Sequence, residues 1–235
     1  MKTWFITGAS RGFGALIMEA VLANDAVVAT ARDPSSIADH PRLLKLPLDV
    51  TNEVQARDAA SRAIEKFGGI DVLVNNAGYG LLGAVEEASS IEVERVFATN
   101  VFGLLNVTRA VLPYLRSRRS GHIINMSSIG GYASPPGWGV YCATKFAVEG
   151  ISEALSIELA PLGIHATVVE PGYFRTDFLS AQSLSSTAVK IDDYSGTVRR
   201  YASLPVARIK EKHRDVEREL DLWREVSLST DFARA

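Results

Sequence analysis

The sequence predicts an α/β protein of one domain, with a doubly wound parallel sheet and helices on both faces. Short apolar runs rich in β-branched residues alternate with longer segments of helical periodicity, as in β–α–β units around a parallel sheet. The short runs are apolar almost throughout, as expected for strands that helices cover on both sides. The chain has 235 residues and shows no repeat or linker that would divide it.

Strands and helices can be placed from these patterns. The predicted strands, each dense in Val, Ile, Leu or Phe, are Thr3–Thr7, Ala26–Ala31, Leu43–Leu48, Asp71–Asn75, His122–Met126 and His165–Glu170. The predicted helices are Phe13–Ala23, Glu53–Phe67, Ile91–Ser117 with a break near Asn100, and Val140–Leu162. We expect Thr51 to cap the second helix, and Gly68 and Gly163 to end the second and the fourth.

The composition changes near residue 178. Ser180–Ser186 is rich in small polar residues, and Lys190–Arg200 has few apolar anchors, so we expect a substrate-lid segment over about residues 173–200. Beyond it, apolar residues recur at helical spacing among many charges. This pattern predicts an amphipathic helix over about residues 205–226, packed on the domain.

Composition and charge exclude several classes of function. The net charge of −2 gives no general attraction to nucleic acid or to an anionic membrane. Cys142 is the single cysteine, and the histidines, His40, His122, His165 and His213, lack ligand spacing, so we expect neither a disulfide nor a metal. The first apolar run is too short for a signal peptide, and no run is expected to span a membrane. We therefore expect a cytoplasmic protein without nucleic-acid or membrane partners.

A glycine-rich turn connects the first strand to the first helix. In Thr7–Gly14, glycines permit the tight turn, the approach of the backbone to a pyrophosphate, and the close packing of helix on strand. The N–H groups and the dipole at the start of the helix favour an anion. A plain structural turn is the alternative. The strand–turn–helix context favours dinucleotide binding, and hence a Rossmann-type sheet.

Several motifs together resemble the short-chain dehydrogenase/reductase family, in its single-domain branch. They are the Gly-x-x-x-Gly-x-Gly spacing from Gly8, Asp49-Val50, Asn75–Gly78, Asn100 and Pro171–Thr176. The resemblance covers roughly residues 3 to 195. It implies a nicotinamide cofactor held by Gly8, Ser10, Arg11, Gly12, Phe13, Gly14, Arg32, Asp49, Val50, Asn76, Ala77, Gly78, Tyr141, Lys145, Pro171, Gly172, Phe174 and Thr176.

The predicted catalytic residues are Asn100, Ser128, Tyr141 and Lys145. Tyr141 and Lys145 are one helical turn apart, so their side chains share a face. A nearby ammonium, with the charge of the cofactor, stabilises the phenolate, so we expect the pKa of Tyr141 to be lowered and its hydroxyl to exchange a proton with the substrate. The family resemblance implies that Ser128, rather than its neighbour Ser127, orients the substrate, and that Asn100 completes a proton relay.

The end of the second strand bears on the choice of cofactor. An acidic residue there would bind the ribose of NAD and repel the phosphate of NADP. The matching position is Ala31, followed by Arg32, and the resemblance places Arg11 near the same ribose. Two guanidiniums suit a phosphate, which predicts NADP(H) over NAD(H). A shift of one residue in the alignment would bring Asp33 to this position instead.

These observations predict an NADP(H)-dependent oxidoreductase of the carbonyl reductase or alcohol dehydrogenase type. The substrate-facing residues are mostly apolar, which favours a small to medium hydrophobic substrate, although they could simply close the lid. The alternatives are a dinucleotide-sensing protein without catalysis, and an isomerase or dehydratase. The resemblance also implies a homodimer or homotetramer. Compared with the family, the chain lacks some tens of residues between about Gly196 and Ile209, where we expect a missing segment.

Overall fold

The core of the fold is a parallel sheet of six strands, which confirms the predicted fold class. The computed structural model describes residues 1–172, 178, 180 and 182–200. The strands of the chain are β1 (Thr3–Thr7), β2 (Ala26–Ala31), β3 (Leu43–Pro47), β4 (Val72–Asn75), β5 (Gly80–Leu82), β6 (Gly121–Met126), β7 (Ile164–Val169) and β8 (Leu184–Ser186). The large sheet has the order β3–β2–β1–β4–β6–β7.

Helices cover both faces of this sheet, as predicted. They are α1 (Gly12–Leu22), α2 (Glu53–Phe67), α3 (Ser90–Phe97), α4 (Leu104–Arg118) and α5 (Gly139–Leu159). Successive residues of β1 point to opposite faces: Phe5 packs with α2, α4 and α5, whereas Trp4 and Ile6 pack with α1. All three are fully buried, which explains why β1 is apolar without alternation.

The helix ends follow local side-chain chemistry, with one correction. The predicted cap Thr51 is wrong, because its hydroxyl donates to Asp49 Oδ1 at 2.8 Å. Asn52 caps α2 instead, and its Oδ1 accepts hydrogen bonds from the N–H groups of Val54 and Gln55. The two predicted stops are confirmed, since Gly68 and Gly163 have φ angles of 78° and 70°.

The predicted break near Asn100 is a short π-helix. It spans Ala98–Gly103 and joins α3 to α4 in one helical run, Ser90–Arg118. This run is long and apolar enough to cross a membrane by length and composition, contrary to expectation. Half of its apolar window is buried within the protein, however, as in the core helix of many folds. A π-helical insertion of this kind often marks a functional site.

A second, two-stranded sheet was not foreseen. Strand β5 pairs in parallel with β8, and Gly80 lies opposite Leu184. Each strand has three residues, too few to show a period in the sequence. The rest of the described lid contains short helical turns at Asp192–Tyr194 and Ser195–Arg199. Residues 173–177, 179 and 181, the predicted helix over 205–226 and most of the expected gap lie outside the described residues.

Candidate active site

The carboxyl ends of the large-sheet strands open into one cavity of about 1470 Å³. In parallel α/β sheets, ligands bind at this end, where the strand order reverses. The glycine-rich turn lines one part of the cavity, and the start of α5 lines another. Of the predicted site residues, the cavity wall includes Gly8, Ser10, Arg11, Gly12, Phe13, Arg32, Asp49, Val50, Asn76, Ala77, Gly78, Ser128, Tyr141, Lys145, Pro171 and Gly172. Phe174 and Thr176 lie outside the described residues.

The glycine-rich turn has the geometry that a pyrophosphate requires. No side chain caps the start of α1, so the N–H groups of its first turn are available to an anion. Gly12 has a φ of 56°, and a Cβ atom there would meet nothing within 4 Å. A Cβ atom at Gly14 would lie 2.2 Å from the carbonyl oxygen of Gly8, so only glycine lets α1 approach the turn this closely.

The Asn75–Gly78 segment supports this turn. The side chain of Asn76 donates to the carbonyl oxygens of Thr7 and Gly8 at 2.9 and 3.1 Å. The hydroxyl of Thr7 accepts hydrogen bonds from the N–H groups of Asn76 and Ala77, both at 3.0 Å. The side-chain amide of Asn76 therefore holds the turn in place, while the residue also lines the cavity.

A cluster of arginines lies at the end of the cavity near β2. Burial raises the pKa of Tyr79, and the charges of Arg95 and Arg32 oppose that rise. Within the described part of the chain, neither arginine has a carboxylate at ion-pair distance. Arg95 was missed by the sequence analysis. The available signal was its position on α3, one turn before the break at Asn100.

The other predicted residues at this end have local partners. The guanidinium of Arg11 donates to the carbonyl oxygen of Gln182 at 2.6 Å and thus connects the glycine-rich turn to the lid. Asp33 also lines the cavity, and its carboxylate accepts a hydrogen bond from the N–H of Ser35 at 2.9 Å. This bonding with Ser35 lowers the pKa of Asp33, which is therefore a carboxylate at neutral pH.

The predicted catalytic residues Ser128, Tyr141 and Lys145 converge at the start of α5. The Nζ atom of Lys145 lies 5.7 Å from the centre of the Tyr141 ring. It donates to the carbonyl oxygen of Met126, the last residue of β6, at 2.7 Å. Ser128 hydrogen-bonds Tyr141 through its side chain, and its Oγ accepts from the N–H of Gly130 at 3.0 Å. The end of β6 and the residues just after it thus position Lys145 and Ser128 next to Tyr141.

The acidity of Tyr141 differs from the expectation. Burial raises the pKa of its hydroxyl, and the hydrogen bond with Ser128 only partly opposes this rise. The expected lowering of this pKa is therefore not seen in the structure without cofactor, where burial dominates. Burial also lowers the pKa of Lys145, to about 8, so its ammonium is itself weakened as a stabiliser of the phenolate.

Asn100 lies beside these residues, and its side chain forms structural hydrogen bonds. Its Nδ2 donates to the carbonyl oxygen of Tyr79 at 2.9 Å and to the hydroxyl of Thr144 at 3.1 Å. Its Oδ1 accepts from the N–H of Tyr79 at 3.0 Å. Asn100 thereby fixes the segment after β4 against α5. The predicted proton relay through this residue stays a prediction.

Aromatic side chains of the cavity wall pack around the ring of Tyr141. The rings of Trp138 and Phe178 each have their centres 5.6 Å from the centre of the Tyr141 ring. Leu82 and Leu184, from the small sheet, pack against the same cluster. Cys142 is buried there, and burial raises the pKa of its thiol, so it is a poor nucleophile. The ring of Tyr141 is therefore packed among apolar side chains.

Comparison with known proteins supplies the family context. The model of the short chain dehydrogenase family matches residues 2–186. A 3-ketodihydrosphingosine reductase from Bacteroides thetaiotaomicron is 42% identical over 209 residues, which cover 88% of this chain and 76% of the relative. The crystal structure of a short-chain dehydrogenase from Streptomyces avermitilis has a TM-score of 0.88 and 36% identity, and the match covers 98% of this chain and 85% of that one.

Two further solved structures carry a bound cofactor. A 3-ketoacyl-(acyl-carrier-protein) reductase from Brucella melitensis, complexed with NADH, has a TM-score of 0.74 and 28% identity, covering 78% of this chain and 79% of its own. A gluconate 5-dehydrogenase from Burkholderia cenocepacia, in complex with NADP and tartrate, has a TM-score of 0.72 and 28% identity, covering 77% and 74%. These neighbours bind NADH in one case and NADP in the other.

Proposed function

This chain belongs to the short-chain dehydrogenase family and is an oxidoreductase, and we propose that it is an NADP(H)-dependent carbonyl reductase acting on a hydrophobic ketone or aldehyde. One observation carries the proposal: the hydroxyls of Tyr141 and Ser128, with Lys145 behind them, open into the same cavity as the glycine-rich turn. That placement brings a proton donor and a dinucleotide site into one chamber.

The residues of the turn fit a dinucleotide. The uncapped start of α1 and the open space at Gly12 suit its pyrophosphate, and Asp49, Val50 and Gly78 line the space beyond. A bound nicotinamide cofactor supplies the hydride for reduction of the carbonyl carbon. The contribution of this chain is to bind and orient the two reactants and to move one proton.

Tyr141 is the proton donor in this proposal. When the carbonyl carbon gains a hydride, its oxygen takes the proton of the Tyr141 hydroxyl, and the product is an alcohol. The Ser128 hydroxyl, bonded to Tyr141, donates to the same oxygen and stabilises its developing charge. Lys145 then stabilises the phenolate until a proton returns.

The protonation state of Tyr141 suits its proposed role as a proton donor. Because burial raises the pKa of its hydroxyl, Tyr141 holds its proton throughout the neutral range and begins the cycle as an acid. Oxidation of an alcohol requires the phenolate at the start. A protonated Tyr141 at the start of the cycle therefore supports the proposed reduction.

Three observations support NADP(H) as the cofactor. Arg32 lines the cavity directly after β2, Arg95 lies near it beside Tyr79, and Arg11 lines the same cavity from the glycine-rich turn. Guanidinium groups match phosphate oxygens with paired hydrogen bonds. The carboxylate of Asp33 would instead favour NAD(H). It accepts a hydrogen bond from the N–H of Ser35, however, which holds it within its own turn.

The substrate class follows from the aromatic wall. Trp138, Phe178, Leu82 and Leu184 offer few polar groups, so the group next to the carbonyl carbon is apolar. The Bacteroides relative is named as a 3-ketodihydrosphingosine reductase, so its reaction is also the reduction of a ketone.

The experiment is a screen of the purified chain against ketones, aldehydes and quinones, with consumption of NADPH or NADH as the readout. We expect turnover of apolar carbonyl compounds with preference for NADPH. Binding of NADPH without turnover of any carbonyl compound would favour the dinucleotide-sensing alternative and overturn the proposed function.

We further propose that the chain self-associates through α4, α5 and the π-helix. Phe102 before α4, with Phe146 and Ile157 on α5, are exposed by 56, 49 and 70%. Large apolar side chains on neighbouring helices are typical of an interface between subunits. Light scattering coupled to size-exclusion chromatography should give the mass of a dimer or tetramer, and a monomer at micromolar concentration would contradict this.

A further inference from the structure

Behind the catalytic residues, a carboxylate lies on the same face of α5. Tyr141, Lys145 and Glu149 follow one another at intervals of one helical turn, so all three share that face. The Oε1 atom of Glu149 is fully buried, and among the described residues it has no hydrogen-bond partner. A buried carboxylate oxygen without a partner is costly, which calls for an explanation.

Ser127 contributes a second buried oxygen to the same place. Its Oγ atom is likewise buried without a partner in the described part of the chain. Its N–H is used in the sheet, where it donates to the carbonyl oxygen of Val169 at 2.7 Å. Both Ser127 Oγ and Glu149 Oε1 lie 2.6 Å from the point where a Cβ atom of Gly131 would stand. The absence of a side chain at Gly131 therefore leaves the room that these two groups occupy.

Lys145 lies next to this space and needs a compensating charge. Its ammonium is buried and, within the described residues, donates one hydrogen bond, to the carbonyl oxygen of Met126, which immediately precedes Ser127. Described groups near it include the phenol of Tyr141 on α5 and the amide of Asn100 on the π-helix, which faces Gly78 together with the ammonium. Among the described residues, the carboxylate of Glu149 is the charge that opposes the effect of burial on Lys145.

We propose that Glu149 is a positioning residue that keeps the buried Lys145 in its charged form, with Ser127 as its neighbour in the space left by Gly131. This inference rests on the proposed function for its consequence, since the charged lysine is what stabilises the phenolate of Tyr141. Glu149, in the third turn of α5, would thus supply the negative charge that the Tyr141–Lys145 pair lacks.

The electrostatic argument has a definite sign. Burial lowers the pKa of Lys145 to about 8, and the carboxylate of Glu149 opposes that fall. Removal of the carboxylate therefore lowers the pKa further, and Lys145 becomes neutral at a lower pH. A neutral lysine no longer stabilises the phenolate, so turnover should be lost at a lower pH as well.

The experiment titrates Lys145 directly in Glu149→Gln, a change that removes the charge and keeps the shape. Protein labelled with ¹³C at the ε-carbon of lysine gives a resonance that reports protonation, assigned by its loss in Lys145→Arg. We expect the pKa of Lys145 to fall by about half a unit or more. The alkaline limb of the pH profile of kcat/KM should move by the same amount. Glu153→Gln, an exposed carboxylate one turn further along α5, is the matched control and should move neither.

Two further variants keep the test decisive. Glu149→Asp retains the charge and should restore most of the wild-type titration. Gly131→Ala places a methyl group against both oxygens and should displace the carboxylate, which lowers the pKa of Lys145 even if Glu149→Gln does not fold. An unchanged titration in both Glu149→Gln and Gly131→Ala would overturn the inference and leave the proposed function intact. A shifted titration in a protein that reduces no carbonyl compound would support the role of Glu149 and overturn the proposed function.

Discussion

Titratable side chains are buried at both ends of the large sheet, but their hydrogen bonding differs between the two ends. At the amino end, Asp25 accepts hydrogen bonds from the N–H of Lys2 and from the indole of Trp4, both at 2.9 Å. Asp71 accepts from the N–H of Thr3 at 2.8 Å and from Arg118 at 3.0 Å. Each carboxylate there is satisfied by the elements that it joins, which is how buried charge stabilises a fold.

At the carboxyl end, the buried groups are less completely hydrogen-bonded. Lys145 has one hydrogen bond, the pKa of Tyr141 is raised, and the buried oxygens of Ser127 and Glu149 have no partner among the described residues. Perturbed and poorly satisfied groups of this kind concentrate at functional sites. Burial alone does not distinguish the two ends, since it also lowers the pKa of His122 at the amino end; the hydrogen bonding of the buried oxygens does. Variants at the two ends should therefore affect different properties.

The largest effect is expected from Tyr141→Phe at the carboxyl end. Loss of the proton donor should reduce kcat by about 1000-fold, since general acid catalysis contributes on that order. Because phenylalanine keeps the buried ring and loses the hydrogen bond to Ser128, the free energy of unfolding should change by only about 1 kcal/mol. Steady-state kinetics and urea unfolding measure the two quantities, and binding of NADPH by fluorescence is the control. A large loss of stability in Tyr141→Phe would contradict the assignment of the carboxyl end to activity rather than to stability.

The next effect is a pH dependence of stability at the amino end. Burial lowers the pKa of His122 to about 4, so the folded protein binds fewer protons than the unfolded chain between about pH 4 and 6.5. Stability from this residue is complete above about pH 6.5 and falls as the pH drops, by up to about 3 kcal/mol. Urea unfolding of wild type and His122→Gln as a function of pH should show this difference. Parallel curves for the two proteins would contradict it.

Asp25→Ala should destabilise the protein without slowing it. The change leaves the buried indole N–H of Trp4 without its acceptor, which costs about 2 kcal/mol of unfolding free energy. Chemical denaturation followed by Trp fluorescence gives the value, and kcat at 25 °C should match the wild type. Asp58→Ala, on the exposed face of α2, is the control for loss of one carboxylate and should leave stability within about 0.5 kcal/mol.

The smallest effect is expected on cofactor preference at the carboxyl end of the sheet. Arg32→Ala should reduce the preference for NADPH over NADH by about tenfold, which corresponds to about 1.4 kcal/mol of binding free energy. The ratio of kcat/KM for the two cofactors measures it. Arg57→Ala, an exposed arginine on α2 paired with Glu53, is the matched control. An unchanged ratio in Arg32→Ala would remove the argument for a phosphate clamp.

Much of this architecture could be predicted from the sequence because the signals were local. The strands of the large sheet are apolar runs, and the glycines of Thr7–Gly14 and the helical spacing of Tyr141 and Lys145 can be seen directly. The cap at Asn52 was missed because Thr51 and Asn52 are both good caps, and only the bond from Thr51 to Asp49 decides between them. Residue type alone does not specify such a choice.

The remaining features depend on contacts between distant parts of the chain. The raised pKa of Tyr141 reflects burial by Trp138 and Phe178, which the spacing of a helical motif does not report. Arg95 reaches the cavity only through the path of α3, and Glu149 became notable only because Gly131 leaves space beside it. Electrostatics and close approach are tertiary properties, and the sequence alone does not reveal them.

The pairing of β5 with β8 has a practical consequence for altering specificity. Gly80 follows Tyr79, which Asn100 holds in place, and Gly80 donates through its N–H to the carbonyl oxygen of Ser183 at 2.9 Å. The predicted lid segment is thus joined by hydrogen bonds to the segment that follows β4. A graft that exchanges residues 182–200 for those of a relative must carry residues 80–82 with it, or the transplanted loop will have no strand on which to register.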